Sequence, residues 1–154
     1  MRKANDSGQT LVEVAISMAL FLLMVLAIVD FGYIISTKVT LQNAVRQAGR
    51  YAITGQCMMG SNGSCSLTRY NSIVQVLEGT SLGLVNINEI TISCKDQGGG
   101  CPGPAGGPGD IVTIKVAYPY QFLTGPIGTF FPGHSLTLNV SSAFTNEPFP
   151  PGQS

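Results

Sequence analysis

Residues 11–35 read LVEVAISMALFLLMVLAIVDFGYII, and the fold turns on whether this block crosses a membrane. Between Glu13 and Asp30 the stretch VAISMALFLLMVLAIV carries no charge. As a helix rising about 1.5 Å per residue it reaches roughly 24 Å, slightly short of a ~30 Å hydrocarbon core. Leu11 and Val12 at one end, and Phe31 to Ile35 at the other, complete the span. A helix this apolar on every side would need a larger soluble core than the remaining chain can offer. A cleaved secretory signal is the other rival, and Met1-Arg2-Lys3 suits its basic start. The apolar block is longer than the usual ~7–15 residues, however, and Val29-Asp30-Phe31-Gly32-Tyr33 holds no small-x-small cleavage site. An anchor helix is the better reading.

The rest of the chain is small and weakly charged. Its 154 residues fit one domain plus an anchor, and 10% charged residues is well below the usual quarter. The formal charge balances to zero, and no basic stripe interleaved with aromatics marks a nucleic-acid surface. Orientation is not settled by charge: Arg2 and Lys3 precede the helix, but Lys38, Arg46 and Arg50 follow it closely. The cysteines favour one orientation. Cys57, Cys65, Cys94 and Cys101 all follow the helix, as two close pairs in a Gly-rich region, which fits disulfides in an oxidising compartment. The N-terminus is therefore expected inside and the domain outside. Seven and six intervening residues separate the pairs, against two to four in zinc sites. Two local disulfides are preferred among three possible connectivities, each worth about 2–3 kcal/mol.

Past the span, TKVTLQNAVRQAGRYA (37–52) keeps Leu41, Ala44, Val45, Ala48 and Ala52 on one helical stripe, with Arg46 and Arg50 on another face. Gly55 is the expected stop. Span and stripe together predict one helix of about 45 residues, roughly 65 Å long. A short helix is expected at Ser72–Leu77, capped by Asn71 or Ser72 and closed by Gly79. The period then becomes two: Ile90, Ile92 and Cys94, then Val112, Ile114, Val116 and Tyr118, then Leu136, Leu138 and Val140 read as three half-buried strands. Pro119 is expected to end the second. Residues 98–109, GGGCPGPAGGPG, read as a flexible loop clipped by Cys101. The fold class is α+β: a long N-terminal transmembrane and amphipathic helix packed on a small antiparallel sheet.

Catalysis finds no foothold. His134 is the only histidine and sits in a Pro-Gly turn, a surface-loop position. No Ser-His-Asp set, paired carboxylates or phosphate-cradling loop can be assembled. The expectation is a protein that is not an enzyme, with no cofactor, no metal and no small-molecule substrate. One junction does carry chemistry: Gly8-Gln9-Thr10-Leu11-Val12-Glu13. A carboxylate at the edge of a membrane helix costs up to about 2–3 kcal/mol at the bilayer centre and less near the interface. Glu13 either has a partner in the membrane or lies at the headgroups near the helix N-terminus. Asp30, near the other end, either faces the interface or a neighbour, and the interface is preferred.

Gly-x-x-x-x-Glu opening an apolar helix resembles the cleavage site of type IV-like prepilins. More narrowly, GQTLVEVAISMALFLLMVLAIVDFGY followed by TLQNAVRQAGRYA resembles the TadE-like family of Tad (Flp) pilus assembly proteins. IVTIKVAYPYQFLTGPIG and LTLNVSSAFTNEPF are similar to that family's ending, and the resemblance is weakest across residues 56–109. It implies a leader at 1–8, a transmembrane helix at 9–36 and an extracytoplasmic, pilin-like domain at 37–154. It implies cleavage by a prepilin peptidase between Gly8 and Gln9. Glu13 would then pair with the N-terminal amine of an adjacent subunit, the two groups offsetting each other's desolvation and fixing register. Val14 departs from the family, which more often has an aromatic there.

The implied function is that of a minor pilin or pseudopilin, acting structurally in pilus assembly or initiation. It would sit in the bacterial cytoplasmic membrane, its partners being the peptidase, other pilin subunits, the assembly platform and membrane lipid. The rival is an unprocessed single-span anchor displaying a binding, adhesive or secretion-accessory domain.

Overall fold

The computed structural model describes residues 6–61, 65–97 and 101–149. Its elements are α1 (Asp6–Ile53), α2 (Arg69–Thr80), β1 (Ile90–Lys95), β2 (Ile111–Gln121), a single turn α3 (Gly125–Gly128) and β3 (Ser135–Thr145). The strands form one sheet in the order β1-β2-β3, with Ile90 of β1 antiparallel to Val116 of β2 and Lys95 to Ile111. This is the α+β arrangement expected from the change of period. The chain forms two compact units, one of residues up to Ser36 with Tyr120–Leu136, the other of Thr37–Pro119 with the chain from Thr137 onward.

Span and stripe do run as one helix. No Pro interrupts α1, and its Leu, Met and Ala content favours helix throughout. It stops where expected: Gly55 takes φ +68°, its N–H bonds the Ala52 carbonyl at 3.3 Å, and a side chain there would strike the Phe149 ring.

In the second unit the helical stripe supplies one wall of the core. Leu41, Ala44, Val45, Ala48 and Ala52 are buried, as are Ile73, Val74 and Leu77 of α2. The strands add every second residue: Ile90 and Ile92, then Val112, Ile114 and Val116, then Leu138 and Val140. Gly49 lets helix and strand approach closely, because a Cβ there would fall inside the Phe144 ring.

Three local expectations are corrected. The short helix starts earlier, at Arg69, because Thr68 is its cap and accepts the Asn71 N–H at 3.3 Å. β2 runs through Pro119 to Gln121. β1 ends opposite Val116, so beyond that point β2 has only β3 beside it, and an exposed Pro is tolerated on such an edge. The loop read as flexible is, over residues 101–109, packed: Ala105, Gly106 and Gly107 are buried and their backbone is hydrogen-bonded. Residues 98–100 lie outside the described residues.

In the first unit the long aromatic connection is organised around α1. The Tyr33 and Tyr120 ring centroids are 6.1 Å apart, Phe122 meets Tyr120 edge-on at 5.7 Å, and Phe131 stacks on Phe122 at 4.5 Å. Ile127 and Gly128 of α3, within this connection, are buried.

Candidate functional site

From Gly8 to Val25 every position of α1 is exposed, among them Leu11, Val14, Met18 and Phe21. It is the one described helix long and apolar enough to cross a membrane. Apolar surface that continuous is stable only in lipid or against other apolar helices.

Glu13 interrupts this surface. It lies on one face with Thr10, Val14, Ser17, Met18 and Phe21, and these residues line a shallow groove. The Ser17 hydroxyl does not compete for the carboxylate, because it donates to the Glu13 backbone carbonyl at 2.8 Å. Among the described residues no donor meets the Glu13 carboxylate. Gly8 stands one and a half turns earlier on the same helix, and a Cβ added there meets nothing within 4 Å. Nothing in the packing asks for glycine at that position, although it costs a helix about 1 kcal/mol relative to Ala. Gln9 beside it is exposed.

Asp30 differs from expectation. It faces neither lipid nor a free interface but is fully buried in the first unit. One carboxylate oxygen accepts the Leu123 N–H at 3.0 Å and the Thr124 N–H at 3.3 Å, and the other accepts the Thr124 hydroxyl. An apolar helix surface explains why the acid is retained: the loop supplies three donors that lipid cannot. His134 is exposed in a turn with φ +54°, consistent with a loop residue.

Cys57 pairs with Cys65, Cα atoms 5.6 Å apart, and Cys94 with Cys101, 6.1 Å apart. Cys94, Cys101 and Asp110 bring possible metal-ligand atoms within 4.8 Å of one another, but both sulfurs are bonded in the disulfide, so no thiolate is offered. Asp110 is occupied instead by the Gly107 N–H at 2.7 Å and the Gln97 N–H at 3.3 Å.

The sequence reading missed one buried cluster in the second unit. Arg69 is 2% exposed, donates from Nη1 to the Gly106 carbonyl at 2.5 Å and from Nη2 to the Ala52 carbonyl at 2.6 Å, and lies 4.5 Å from the Phe149 ring centroid. Desolvation by burial holds its pKa below the usual guanidinium value. Asn146 completes the cluster, donating to the Ala105 and Gly107 carbonyls at 3.2 and 2.8 Å. Its task is to tie the helix end, the Gly-Pro loop and the C-terminal segment together. The only sequence signal was a cation next to an apolar helical run, which also describes a solvated residue.

Against known proteins, the family model described as TadE-like protein matches residues 8–50. No curated protein and no solved structure matches the chain. The match begins at Gly8 and takes in the exposed apolar helix, Glu13, Asp30 and the start of the buried stripe. Over residues 8–50, then, the chain is similar to TadE-like proteins.

Proposed function

We propose that this chain is a minor pilin or pseudopilin of a Tad-type system. Residues 9–36 span the bacterial cytoplasmic membrane once, with the N-terminus inside and 37–154 outside. A prepilin peptidase removes residues 1–8 between Gly8 and Gln9. Glu13 then pairs with the new amine of a neighbouring subunit as apolar helices associate, on the assembly platform or in the filament.

The observation that carries this reading is the Glu13 carboxylate, without a donor among the described residues, on a stretch of helix, residues 8–25, in which every position is exposed. In lipid a lone carboxylate is costly, and an ammonium group brought by a second subunit offsets that cost. Gly8 supports the cleavage step, since a residue that the fold does not need is free to serve recognition by a peptidase. The two disulfides support an oxidising location for the domain. The role is structural, built from helix association and display of the sheet domain.

The test is Glu13→Ala in cells that assemble the pilus. The variant should still insert in the membrane and carry both disulfides, but it should fail to co-purify with pilin subunits and fail to support piliation. Wild-type piliation by Glu13→Ala would remove the pairing role and favour the unprocessed, display-type anchor.

A further inference from the structure

We infer that the loop of residues 122–131 is a lipid-contacting collar, seated in the interfacial layer of the leaflet on the side of the C-terminal domain; this rests on the reading of α1 as a membrane span. About twenty residues at ~1.5 Å each fill a ~30 Å hydrocarbon core, and counted from Leu11 they end at Asp30. Asp30 is the residue to which the loop is fastened, through the Leu123 and Thr124 N–H groups at 3.0 and 3.3 Å. The loop backbone is thereby held at the level where hydrocarbon gives way to headgroups. Phe131 is tied to the same level through the ring series Phe131–Phe122–Tyr120–Tyr33.

What the loop presents there is apolar. Leu123 is 65% exposed and Phe130 74%, and Phe131 is also exposed, alongside Phe31 and Ile35 of the helix. In water this would be an unexplained apolar patch within one small unit. At a membrane boundary it is the pattern of aromatic anchors. The composition agrees: from Tyr118 to Ser135 there is no Asp, Glu, Lys or Arg, and His134 is the one titratable side chain besides the tyrosines. The carboxylate closest to the loop, Asp30, has its oxygens met by the loop's own donors. The loop therefore brings no unpaired charge into the interface. It also covers an acid that would otherwise face lipid, and it fixes how deep the helix sits.

The chain has no Trp, so one introduced indole reports alone. The full chain is reconstituted in phospholipid vesicles as three separate variants: Phe130→Trp, Leu123→Trp and, as a marker of the span, Phe21→Trp. All three positions are exposed, so the substitutions leave the packing intact. The expected result is blue-shifted emission from Trp at 130 and 123 that is shielded from aqueous iodide. It should be quenched several-fold more by lipid spin-labelled near the glycerol than by lipid labelled deep in the chain, with the reverse preference for Phe21→Trp. Iodide-accessible emission at 130 and 123, with Phe21→Trp quenched by lipid, would place the loop in water and overturn the inference while leaving the span intact. Shielding from both iodide and lipid labels would show protein covering the patch, and that also overturns it. Loss of lipid quenching at Phe21→Trp would instead reject the span reading itself.

Discussion

The Asp30 carboxylate accepts the backbone N–H of Thr124, 94 residues further along the chain, at 3.3 Å. An acid in the apolar part of a helix is thus used up within the same subunit, whereas the Glu13 carboxylate, on the same helix, meets no donor among the described residues. That contrast separates an acid kept for the fold from one available to a partner.

Removing the first acid should free the loop. Asp30→Ala leaves two N–H groups and a hydroxyl without an acceptor, a loss of about 1–3 kcal/mol of local stability. Amide hydrogen exchange at Leu123 and Thr124 should accelerate accordingly, and Asp30→Asn, which keeps one acceptor oxygen, should accelerate it less. Unchanged exchange in Asp30→Ala would show that the aromatic series alone holds the loop.

Gly49 makes a second demand. A side chain there meets the Phe144 ring, so Gly49→Val should destabilise the sheet unit by about 1–3 kcal/mol, read as a lowered thermal midpoint. Adding Phe144→Ala to that variant should return part of the loss, because the two positions share one volume.

Much of this was legible in the sequence for one reason: period and hydropathy are properties of local spacing. The stripe Leu41–Ala44–Val45–Ala48–Ala52 and the alternation Val112–Ile114–Val116 could be read because each element buries one face. The start of α2 was misplaced because Thr68 lies outside the apolar run it caps. Packing of residues 101–109 was invisible, since its donors, Arg69 and Asn146, come from segments distant in sequence. Asp30 failed for the same reason: its partners are supplied by a loop that spacing cannot place beside it.

Arg69 gives a prediction with a sign. Lysine is a point donor that cannot fork to the Gly106 and Ala52 carbonyls together, so Arg69→Lys should cost about 1.5–3 kcal/mol at neutral pH. Burial lowers the pKa of a basic group, so the unfolded Lys variant binds more protons than the folded one. Its stability should therefore rise as the pH is raised toward the ordinary lysine range of about 10, in denaturant titrations at several pH values. The wild type should show no such rise from this position, because a guanidinium stays protonated throughout.

The Cys94–Cys101 bridge holds one side of the same cluster. Cys94→Ser with Cys101→Ser should cost about 2–3 kcal/mol and expose the Gly107 and Asn146 amides to exchange, since Gly107 bonds Asp110 beside the disulfide. Unaltered protection at both amides would mean that Arg69 and Asn146 hold the loop without the bridge.

The central claim is that Gly8 marks a processing site and Gln9 begins the working protein. It is tested most directly by the intact mass of the chain purified from its native membrane, in cells with an active prepilin peptidase, beside a Gly8→Val variant. The expected result is a wild-type chain that begins at Gln9 and a variant that keeps residues 1–8. Since a side chain at position 8 meets nothing, a retained leader there reports recognition and not misfolding. A wild-type chain that still begins at Met1 would contradict the claim and leave the helix as an unprocessed anchor.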